Sequence, residues 1–254
     1  MKRRKKDKMK VVGVIPARYG SSRLPGKPLK DICGKPMIWW VYQQVLKADK
    51  LDEVIVAIDD NRVAEVLDEY QIPYVMTRND HPTAANRICE VAEKVAGDYY
   101  LQLNGDEPLM NENIINAVVP DNIPENIPFG TNIITKMKNP TEVNDVSNIK
   151  MVFDKDHNAL YMSRTAIPFP SKSISYDYYK HIGIIGYNRK MLEIYSTTKP
   201  GHLEKIEGID TLRFLDYGAE LKLIEVPNCN SLSVDTQMDL ERVREIISER
   251  IGNN

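Results

Sequence analysis

A loop rich in glycines, hydroxyl groups and cations occupies residues 16–28, directly after the first apolar run of the chain. Glycines let a backbone approach a ligand closely, and backbone amides together with Arg and Lys neutralise a polyanion. The loop is not a Walker loop, because five residues separate Gly20 from Gly26 and Pro28 stands where Ser or Thr would hold magnesium. It therefore predicts a triphosphate site of another type. The residues expected to form this site are Pro16, Ala17, Arg18, Ser21, Ser22 and Lys27.

Two aspartates far apart in the sequence are candidates for holding a divalent cation. Asp106 follows a predicted strand, and the carboxyl ends of strands line the ligand crevice of an open α/β sheet. Asp235 directly precedes a predicted helix. Magnesium usually takes one or two protein carboxylates together with phosphate oxygens. The pair is therefore compatible with Mg²⁺ on a triphosphate, and a turn residue and a helix cap are the alternative interpretations.

The order of secondary-structure patterns predicts how these residues are positioned. Short β-branched runs predict strands, and amphipathic patterns predict helices. The expected strands are 11–15, 53–58, 73–76, 99–103, 129–137, 150–153, 181–187 and 221–226, and the expected helices are 36–48, 61–70, 84–95 and 236–251. The βαβαβαβ order of the first half predicts an α/β fold, with a Rossmann-like, mostly parallel sheet and helices on both faces. Thr236 and Asp239 have the spacing of a capping box at the start of the last helix.

The domain organisation follows from the same patterns. Residues 1–10 form a basic run that predicts a disordered leader, and residues 11–254 predict a single domain. Prolines and polar stretches interrupt the middle of the chain, so residues 125–190 are expected to form an inserted, smaller, β-containing subdomain. The apolar run after the leader is too short for a signal peptide, and no run approaches the length of a membrane span. A cytoplasmic protein is the expectation.

Composition excludes several classes of protein. The 254 residues include 34 Lys plus Arg against 36 Asp plus Glu, for a net charge of −2, and 42% of them are hydrophobic. Such a chain has enough apolar residues to fold, and its balanced charge provides no broad field for nucleic acid or a membrane surface. Three cysteines make neither a disulfide framework nor a zinc cluster, so buried, reduced thiols are expected.

The loop 16–28 resembles the signature of the sugar-activating cytidylyltransferases, most closely the family of 3-deoxy-manno-octulosonate (Kdo) cytidylyltransferases. The similarity runs through residues 10–250. The segments that carry it are 76–81 (Met-Thr-Arg-Asn-Asp-His), 104–108 (Asn-Gly-Asp-Glu-Pro), 145–150, 159–168, 180–184, 212–218 and 234–236. The resemblance implies a nucleotidyltransferase fold of the glycosyltransferase-A-like type and a homodimer that associates through the inserted region. It also implies a product used in lipopolysaccharide or capsule synthesis.

The resemblance further implies a reaction and a set of residue roles. The anomeric hydroxyl of Kdo, or of a related 2-keto-3-deoxy sugar acid, would attack the α-phosphorus of CTP in line and release pyrophosphate, with Mg²⁺ as cofactor. The catalytic residues would be Arg18, Lys27, Asp106 and Asp235, of which Asp106 and Asp235 would bind the metal. Arg78, Arg87 and Asp106 would join the loop in binding the nucleotide. The acceptor would be bound by Asn104, Arg164, His181, Tyr187, Asp210 and Thr211.

Three departures from the family pattern leave the acceptor open. Residues 83–87 read Thr-Ala-Ala-Asn-Arg where the family has Ser-Gly-Thr-(Glu or Asp)-Arg. Asn104 replaces a Gln, and Asp210-Thr211 replaces Glu-Gln. A changed polar contact can shift specificity strongly, because a buried group without its partner is costly. A nonulosonic acid or a phosphonate as acceptor, or a nucleotide-binding homologue without activity, are therefore the alternative hypotheses.

Overall fold

The computed structural model describes residues 8–21, 23–172, 176–229 and 232–252. The strands are β1 (Val11–Ala17), β2 (Asp31–Ile32), β3 (Lys35–Pro36), β4 (Glu53–Ile58), β5 (Tyr74–Met76), β6 (Tyr99–Gln102), β7 (Phe129–Lys136), β8 (Lys150–Phe153), β9 (Ala159–Ser163), β10 (Tyr179–Asn188) and β11 (Glu220–Glu225). The helices are α1 (Met37–Val45), α2 (Asn61–Glu69), α3 (Ala84–Lys94), α4 (Glu112–Val118), α5 (Pro140–Asn144), α6 (Arg189–Thr197), α7 (His202–Glu207), α8 (Leu212–Asp216) and α9 (Gln237–Gly252). A short 3-10 helix spans Lys27–Leu29.

The central sheet has the strand order β11-β7-β10-β6-β1-β4-β5. Strands β6, β1, β4 and β5 run parallel, so their carboxyl ends meet at one edge. Strand β10 is antiparallel to both β6 and β7, and its first residues therefore lie at that same edge. The predicted α/β fold, a Rossmann-like and mostly parallel sheet flanked by helices, is confirmed.

Alternation along β1 shows how the sheet separates two cores. Val11 and Ile15 belong to one buried cluster, which includes apolar residues of α1, α2 and α4. Val12 and Val14 belong to a second cluster on the other face, which includes residues of α3, α6 and α8. Because successive side chains of a strand point to opposite faces, a continuous apolar run is what a strand covered on both sides requires.

A third cluster fixes α9 against the loop of residues 16–28 (the phosphate loop). Leu240, Val243 and Ile247 of the helix are buried with Leu24 of the loop and with Met37 of α1. The predicted amphipathic face of this helix therefore does lie on the core. Ile251, in the last turn of the helix, is 52% exposed.

Most predicted elements agree with the structure within one or two residues. The helix predicted at 36–48 is shorter, because α1 ends at Val45, and Pro36 is its N-cap. The short helices α4 to α8 had no counterpart in the prediction. Residues 125–190 contribute β7 and β10 to the central sheet, so only the β8–β9 hairpin branches off the main strand order, where β8 pairs with β10 and β9.

The predicted leader and the cysteines also differ in part from expectation. Residues 1–7 lie outside the described residues, whereas Lys8 forms an ion pair with Asp52 and the Lys10 amide donates to Asp98. Cys89 and Cys229 are buried as expected, but Cys33 is exposed. Among the described residues, no helix combines the length and the apolar character needed to cross a membrane.

Candidate active site

A cavity of about 370 Å³ opens at the edge where the parallel strands end. Its walls come from the loop after β1, from the segment that begins α3, from the turn after β6 and from the segment that precedes α9. The lining residues are Pro16, Ala17, Arg18, Ser21, Arg23, Lys27, Pro28, His81, Pro82, Thr83, Ala84, Arg87, Asn104, Gly105, Asp106 and Asp235. A crevice at strand ends is the usual ligand site of an open α/β sheet.

Lys27 lies between the two candidate metal-binding carboxylates. Its Nζ atom donates to Asp106 Oδ2 at 2.8 Å and to Asp235 Oδ1 at 2.9 Å. Arg23 Nη2 also donates to Asp235 Oδ1, at 2.8 Å. Burial lowers the pKa of Lys27, but the charge and hydrogen bonds of the two aspartates outweigh burial and raise this pKa above its ordinary value. The ammonium is therefore charged at neutral pH.

Backbone contacts bring the two carboxylates together. The Val234 amide donates to the Asp106 carbonyl oxygen at 2.9 Å, which ties the segment before α9 to the turn after β6. Gly105 packs against the carbonyl oxygen of Pro16 so closely that a β-carbon at this position would clash with it. The Asp106 turn, the phosphate loop and the Asp235 segment are thus held in direct contact with one another.

The start of α9 explains why the Asp235 side chain is available to the cavity. Thr236 Oγ1 accepts a hydrogen bond from the Asp239 amide, and Asp239 Oδ2 accepts from the Thr236 amide. This reciprocal pair is the predicted capping box. The helix is capped without the Asp235 carboxylate, which instead pairs with Lys27 and Arg23.

The donor set suits one hard cation that shares its coordination with a ligand. Within the described part of the chain, no group of three or more His, Cys, Asp and Glu residues is arranged to hold a metal ion by itself. The carboxylates of Asp106 and Asp235 converge on a single ammonium, which shows that this place favours positive charge. Mg²⁺ is commonly held by one or two carboxylates, with its remaining ligands from phosphates and water.

The remaining loop residues predicted for the triphosphate also line the cavity. Arg18 is exposed and makes no hydrogen bond or ion pair with any described residue, so its guanidinium is free for an anion. Ser21 Oγ accepts a hydrogen bond from the Leu24 amide at 3.3 Å and stabilises the turn of the loop. Pro16 and Ala17 form the end of β1 beneath these residues. Ser22 lies outside the described residues.

The two other arginines predicted to bind the nucleotide differ in position. Arg87 lines the cavity, but it is buried and its Nη2 atom donates to Asp59 Oδ2 at 2.9 Å. Arg78 is 71% exposed, pairs with Asp80 and does not belong to the cavity lining. The structure therefore brings only one of these arginines to the cavity, and the charge of that arginine is already paired within the protein.

Of the residues predicted to bind the acceptor, Asn104 lies in the cavity lining, whereas His181 of β10 lies outside it. Asn104 lines the cavity, donates through Nδ2 to Glu107 Oε1 at 2.6 Å and packs tightly against Gly183. His181 begins the same stretch of β10, and its Nε2 atom is buried without a hydrogen-bond partner among the described residues. Burial lowers the pKa of His181 to about 4, so the ring is neutral at pH 7.

Like His181, the other four predicted acceptor residues lie outside the cavity lining that the described residues form. Arg164 donates to the carbonyl oxygens of Glu207, Val146 and Gly208. Tyr187 is a core residue, 1% exposed, whose hydroxyl donates to Gln102 Oε1 at 3.2 Å. Thr211 is buried and the adjacent Asp210 is half-buried, and desolvation raises the pKa of Asp210.

Sequence reasoning missed several residues that line the cavity. Arg23 is a cation of the loop 16–28 that is absent from the predicted site residues, although it pairs with Asp235 and lines the cavity. His81 closes the motif 76–81 and hydrogen-bonds through Nε2 to Glu90. Gly105 could have been recognised from the Asn-Gly-Asp motif, since a glycine between two polar residues at a strand end permits close backbone approach.

Fold and cavity together define a class of protein. A phosphate loop with free and paired cations follows the first strand of a parallel sheet, and two carboxylates face it across the crevice. This is the arrangement expected of an enzyme that binds a nucleoside triphosphate with a divalent cation.

Comparison with known proteins specifies the family. The family model described as cytidylyltransferase matches residues 12–224, and the chain belongs to this family. A 3-deoxy-manno-octulosonate cytidylyltransferase from Fusobacterium nucleatum is 40% identical over 243 residues, covering 95% of this chain and 98% of the relative. An 8-amino-3,8-dideoxy-manno-octulosonate cytidylyltransferase from Shewanella frigidimarina is 38% identical over 243 residues, covering 92% of this chain and 97% of the relative. The solved structure of a CMP:2-keto-3-deoxy-manno-octonic acid synthetase complexed with CTP superposes with a TM-score of 0.87 at 37% identity, covering 95% of this chain and 99% of that one.

Proposed function

We propose that the protein transfers the cytidylyl group of CTP to Kdo or a closely related 2-keto-3-deoxy sugar acid, with Mg²⁺ as cofactor. The observation that carries this proposal is the position of Lys27 between Asp106 and Asp235 in the cavity beside the phosphate loop. Near-full-length similarity to relatives named for this activity supports it.

The residues of the cavity suit in-line nucleotidyl transfer. The anomeric hydroxyl of the acceptor attacks the α-phosphorus of CTP, and the bond to pyrophosphate breaks on the opposite side. Negative charge spreads over phosphoryl oxygens, so catalysis depends mainly on positioning and on fixed positive charge. Arg18 is free to bind the triphosphate, and Lys27 and Arg23 extend the positive surface along the loop. Mg²⁺ held by Asp106 and Asp235 would supply further positive charge to these oxygens.

Two sugar acids are the leading candidates for the acceptor. Relatives of nearly equal identity are named for 3-deoxy-manno-octulosonate and for its 8-amino-3,8-dideoxy analogue. These acids share the 2-keto acid end that reacts and differ at the far end of the chain. Of the three departures from the family pattern, those at residues 83–87 and at Asn104 involve residues of the cavity lining.

A panel of acceptors tests the proposal. Pyrophosphate release from CTP and Mg²⁺ is measured with Kdo, with its 8-amino analogue and with a nonulosonic acid. Turnover of either octulosonate is expected. Turnover of the nonulosonic acid alone would keep cytidylyl transfer and reject the acceptor, whereas no release with any of these acids would contradict the proposed activity.

Two aspartate variants test the metal role. Asp106→Ala is expected to lower pyrophosphate release by at least about 100-fold while the protein stays folded, because a carboxylate at the reacting phosphate is lost. The matched control is Asp121→Ala, since Asp121 is 93% exposed and does not line the active-site cavity. Full activity of Asp106→Ala would remove Asp106 from the reaction.

We further propose that the chain forms a homodimer through the region 125–190. We also propose that it works in the cytoplasm, where CTP is available. Three apolar side chains of this region support an interface: Val146 is 65% exposed, Leu160 is 62% exposed and Phe169 is 87% exposed. Sedimentation equilibrium of the wild type and of Phe169→Ser tests the dimer. A monomeric wild type, or an unchanged association constant in the variant, would contradict this interface.

A further inference from the structure

Asp59 connects two walls of the cavity without belonging to its lining. It directly follows β4, and its two carboxylate oxygens accept hydrogen bonds from different elements. Oδ1 accepts from the Tyr19 amide of the phosphate loop at 3.0 Å, and Oδ2 accepts from Arg87 Nη2 of α3 at 2.9 Å. A single carboxylate therefore fixes the distance between the loop and the helix.

The ion pair within this connection is buried. The side chains of Asp59 and Arg87 are 10% and 4% exposed. The guanidinium also donates to the hydroxyl of Thr77, which in turn donates to the Ile58 carbonyl oxygen at the end of β4. Removing one partner of a buried pair leaves an uncompensated charge, so each member depends strongly on the other.

The connection acts on the part of the loop that carries Arg18. Tyr19 directly follows Arg18, whose guanidinium has no partner among the described residues. The Tyr19 ring is covered by Arg62 of α2, whose guanidinium carbon lies 3.6 Å from the ring centroid. Tyr19 is thus held at its amide by Asp59 and at its ring by α2, which fixes the backbone from which Arg18 projects.

We propose that Asp59 is a positioning residue for the triphosphate. It acts through the Tyr19 amide and through Arg87, and it keeps the phosphate loop and the 81–87 wall at a fixed spacing before the nucleotide binds. Binding groups that are already in place cost no reorganisation when the ligand arrives. This inference rests on the proposed function for the identity of the ligand, CTP.

The principal variant is Asp59→Asn, and Asp60→Asn is its matched control. Asparagine at position 59 keeps an oxygen for the Tyr19 amide but loses the charge that pairs with Arg87. Asp60 is the adjacent residue, forms a surface ion pair with Arg62 and caps α2, and asparagine caps helices equally well. Both variants lose one negative charge, but only Asp59→Asn loses the ion pair with Arg87 of the cavity wall. Asparagine at position 60 keeps the oxygen that accepts from the Arg62 amide and Nε, so Arg62 stays over the Tyr19 ring.

The expected result is a selective loss of CTP affinity. Asp59→Asn should raise the Kd for CTP, measured by calorimetry without acceptor, by roughly 10- to 100-fold, since buried charged hydrogen bonds are costly to break. The KM for CTP should rise in parallel, and the KM for the acceptor should change less than about twofold. Asp60→Asn should change each constant by less than about twofold.

Double variants separate a positioning role from direct binding by Arg87. If Asp59 acts through Arg87, the effects of Asp59→Asn and Arg87→Met on the Kd for CTP should be far from additive. If Asp59→Asn does not fold, Thr77→Val replaces it, because it removes a neutral contact of the same guanidinium. The Thr77→Val variant should raise the Kd for CTP about two- to fivefold.

Each outcome has a separate meaning for the two proposals. A wild type that binds no CTP would overturn the proposed function itself. A wild type that binds CTP, with Asp59→Asn equal to Asp60→Asn, would overturn only the role of Asp59. Equal increases in the KM of CTP and of the acceptor, with a lower Tm, would show that Asp59 stabilises the fold generally and would likewise overturn the positioning role.

Discussion

Replacing Lys27 by Met is expected to increase the affinity of the nucleotide-free protein for Mg²⁺, although it removes a cation from the triphosphate site. The ammonium lies 2.8 and 2.9 Å from the carboxylate oxygens of Asp106 and Asp235. A divalent cation that binds these carboxylates must displace the ammonium or share them with it. Methionine has a similar length and no charge, so the competition disappears.

The magnitude follows from the burial of the three side chains. Lys27, Asp106 and Asp235 are 14%, 27% and 33% exposed, which places this pairing between a surface ion pair of up to about 1 kcal/mol and a buried one of about 3–5 kcal/mol. A competition of about 1.5–3 kcal/mol corresponds to a roughly 10- to 100-fold lower Kd for Mg²⁺ in the variant. The free energy of unfolding without metal should fall by about 1–3 kcal/mol, because the two carboxylates lose their shared counterion.

Calorimetric titration of Mg²⁺ into the CTP-free protein tests this expectation, and Tm is measured with and without Mg²⁺. Saturating Mg²⁺ should restore most of the lost stability of Lys27→Met, since a ligand that binds only the folded state stabilises it. Lys30→Met is the control, because Lys30 follows the same 3-10 helix but does not line the cavity. An unchanged or weaker Mg²⁺ affinity in Lys27→Met would refute the reasoning that ammonium and metal share these carboxylates.

Three further predictions concern a pKa, a close contact and thiol access. Burial raises the pKa of Glu90, but hydrogen bonds from Lys94 and its other partners outweigh burial and lower this pKa from 4.5 to about 2. The Glu90 carboxylate therefore stabilises the fold above pH 4.5, and this stabilisation is lost as the pH falls towards 2. Urea unfolding of Glu90→Gln should show a loss of about 2–3 kcal/mol at pH 7 that shrinks towards pH 2, and a pH-independent loss would contradict this. Gly105→Ala should lower the free energy of unfolding by about 1–3 kcal/mol, and with it Tm and turnover, because the added β-carbon meets the Pro16 carbonyl oxygen. An unchanged Tm would contradict the tight contact. Mass spectrometry after alkylation of the native protein should find Cys33 modified first, since the other two thiols are buried, and early modification of those two would refute it.

The sequence predicted the strands and one of the two carboxylates from local patterns alone. Strand β4 has the predicted bounds, because a β-branched run between polar residues has few other interpretations. Asp106 at a strand end faces the crevice for reasons of topology. The position of Asp235 could not be derived in this way, because it depends on the packing of α9 against Leu24 and Met37 and on the bond from Val234 to Asp106.

Sequence patterns identify charged residues but not the residues with which they form ion pairs or hydrogen bonds. Arg87 stands in a motif and does line the cavity, yet its guanidinium is paired with Asp59, an acid that no motif indicated. Arg164 likewise donates to three backbone carbonyls, and Tyr187 is buried in the core. Such pairings join residues far apart in the chain, so they follow from tertiary packing and not from spacing.

The distribution of charge in the cavity links the metal to the nucleotide. Arg18 is available to phosphate at once, whereas Lys27 and Arg23 are held by the carboxylates of Asp106 and Asp235. When those carboxylates bind a divalent cation, the two held side chains become available for the triphosphate that arrives with it. Metal and CTP are therefore expected to bind with positive coupling, and by linkage each should raise the affinity of the other by the same factor. Lys27→Met should remove most of this coupling while Arg18 continues to bind phosphate, so the ratio of CTP affinities with and without Mg²⁺ should fall in the variant. A ratio equal to that of the wild type would show that the coupling comes from the metal–triphosphate bond alone and not from the release of Lys27.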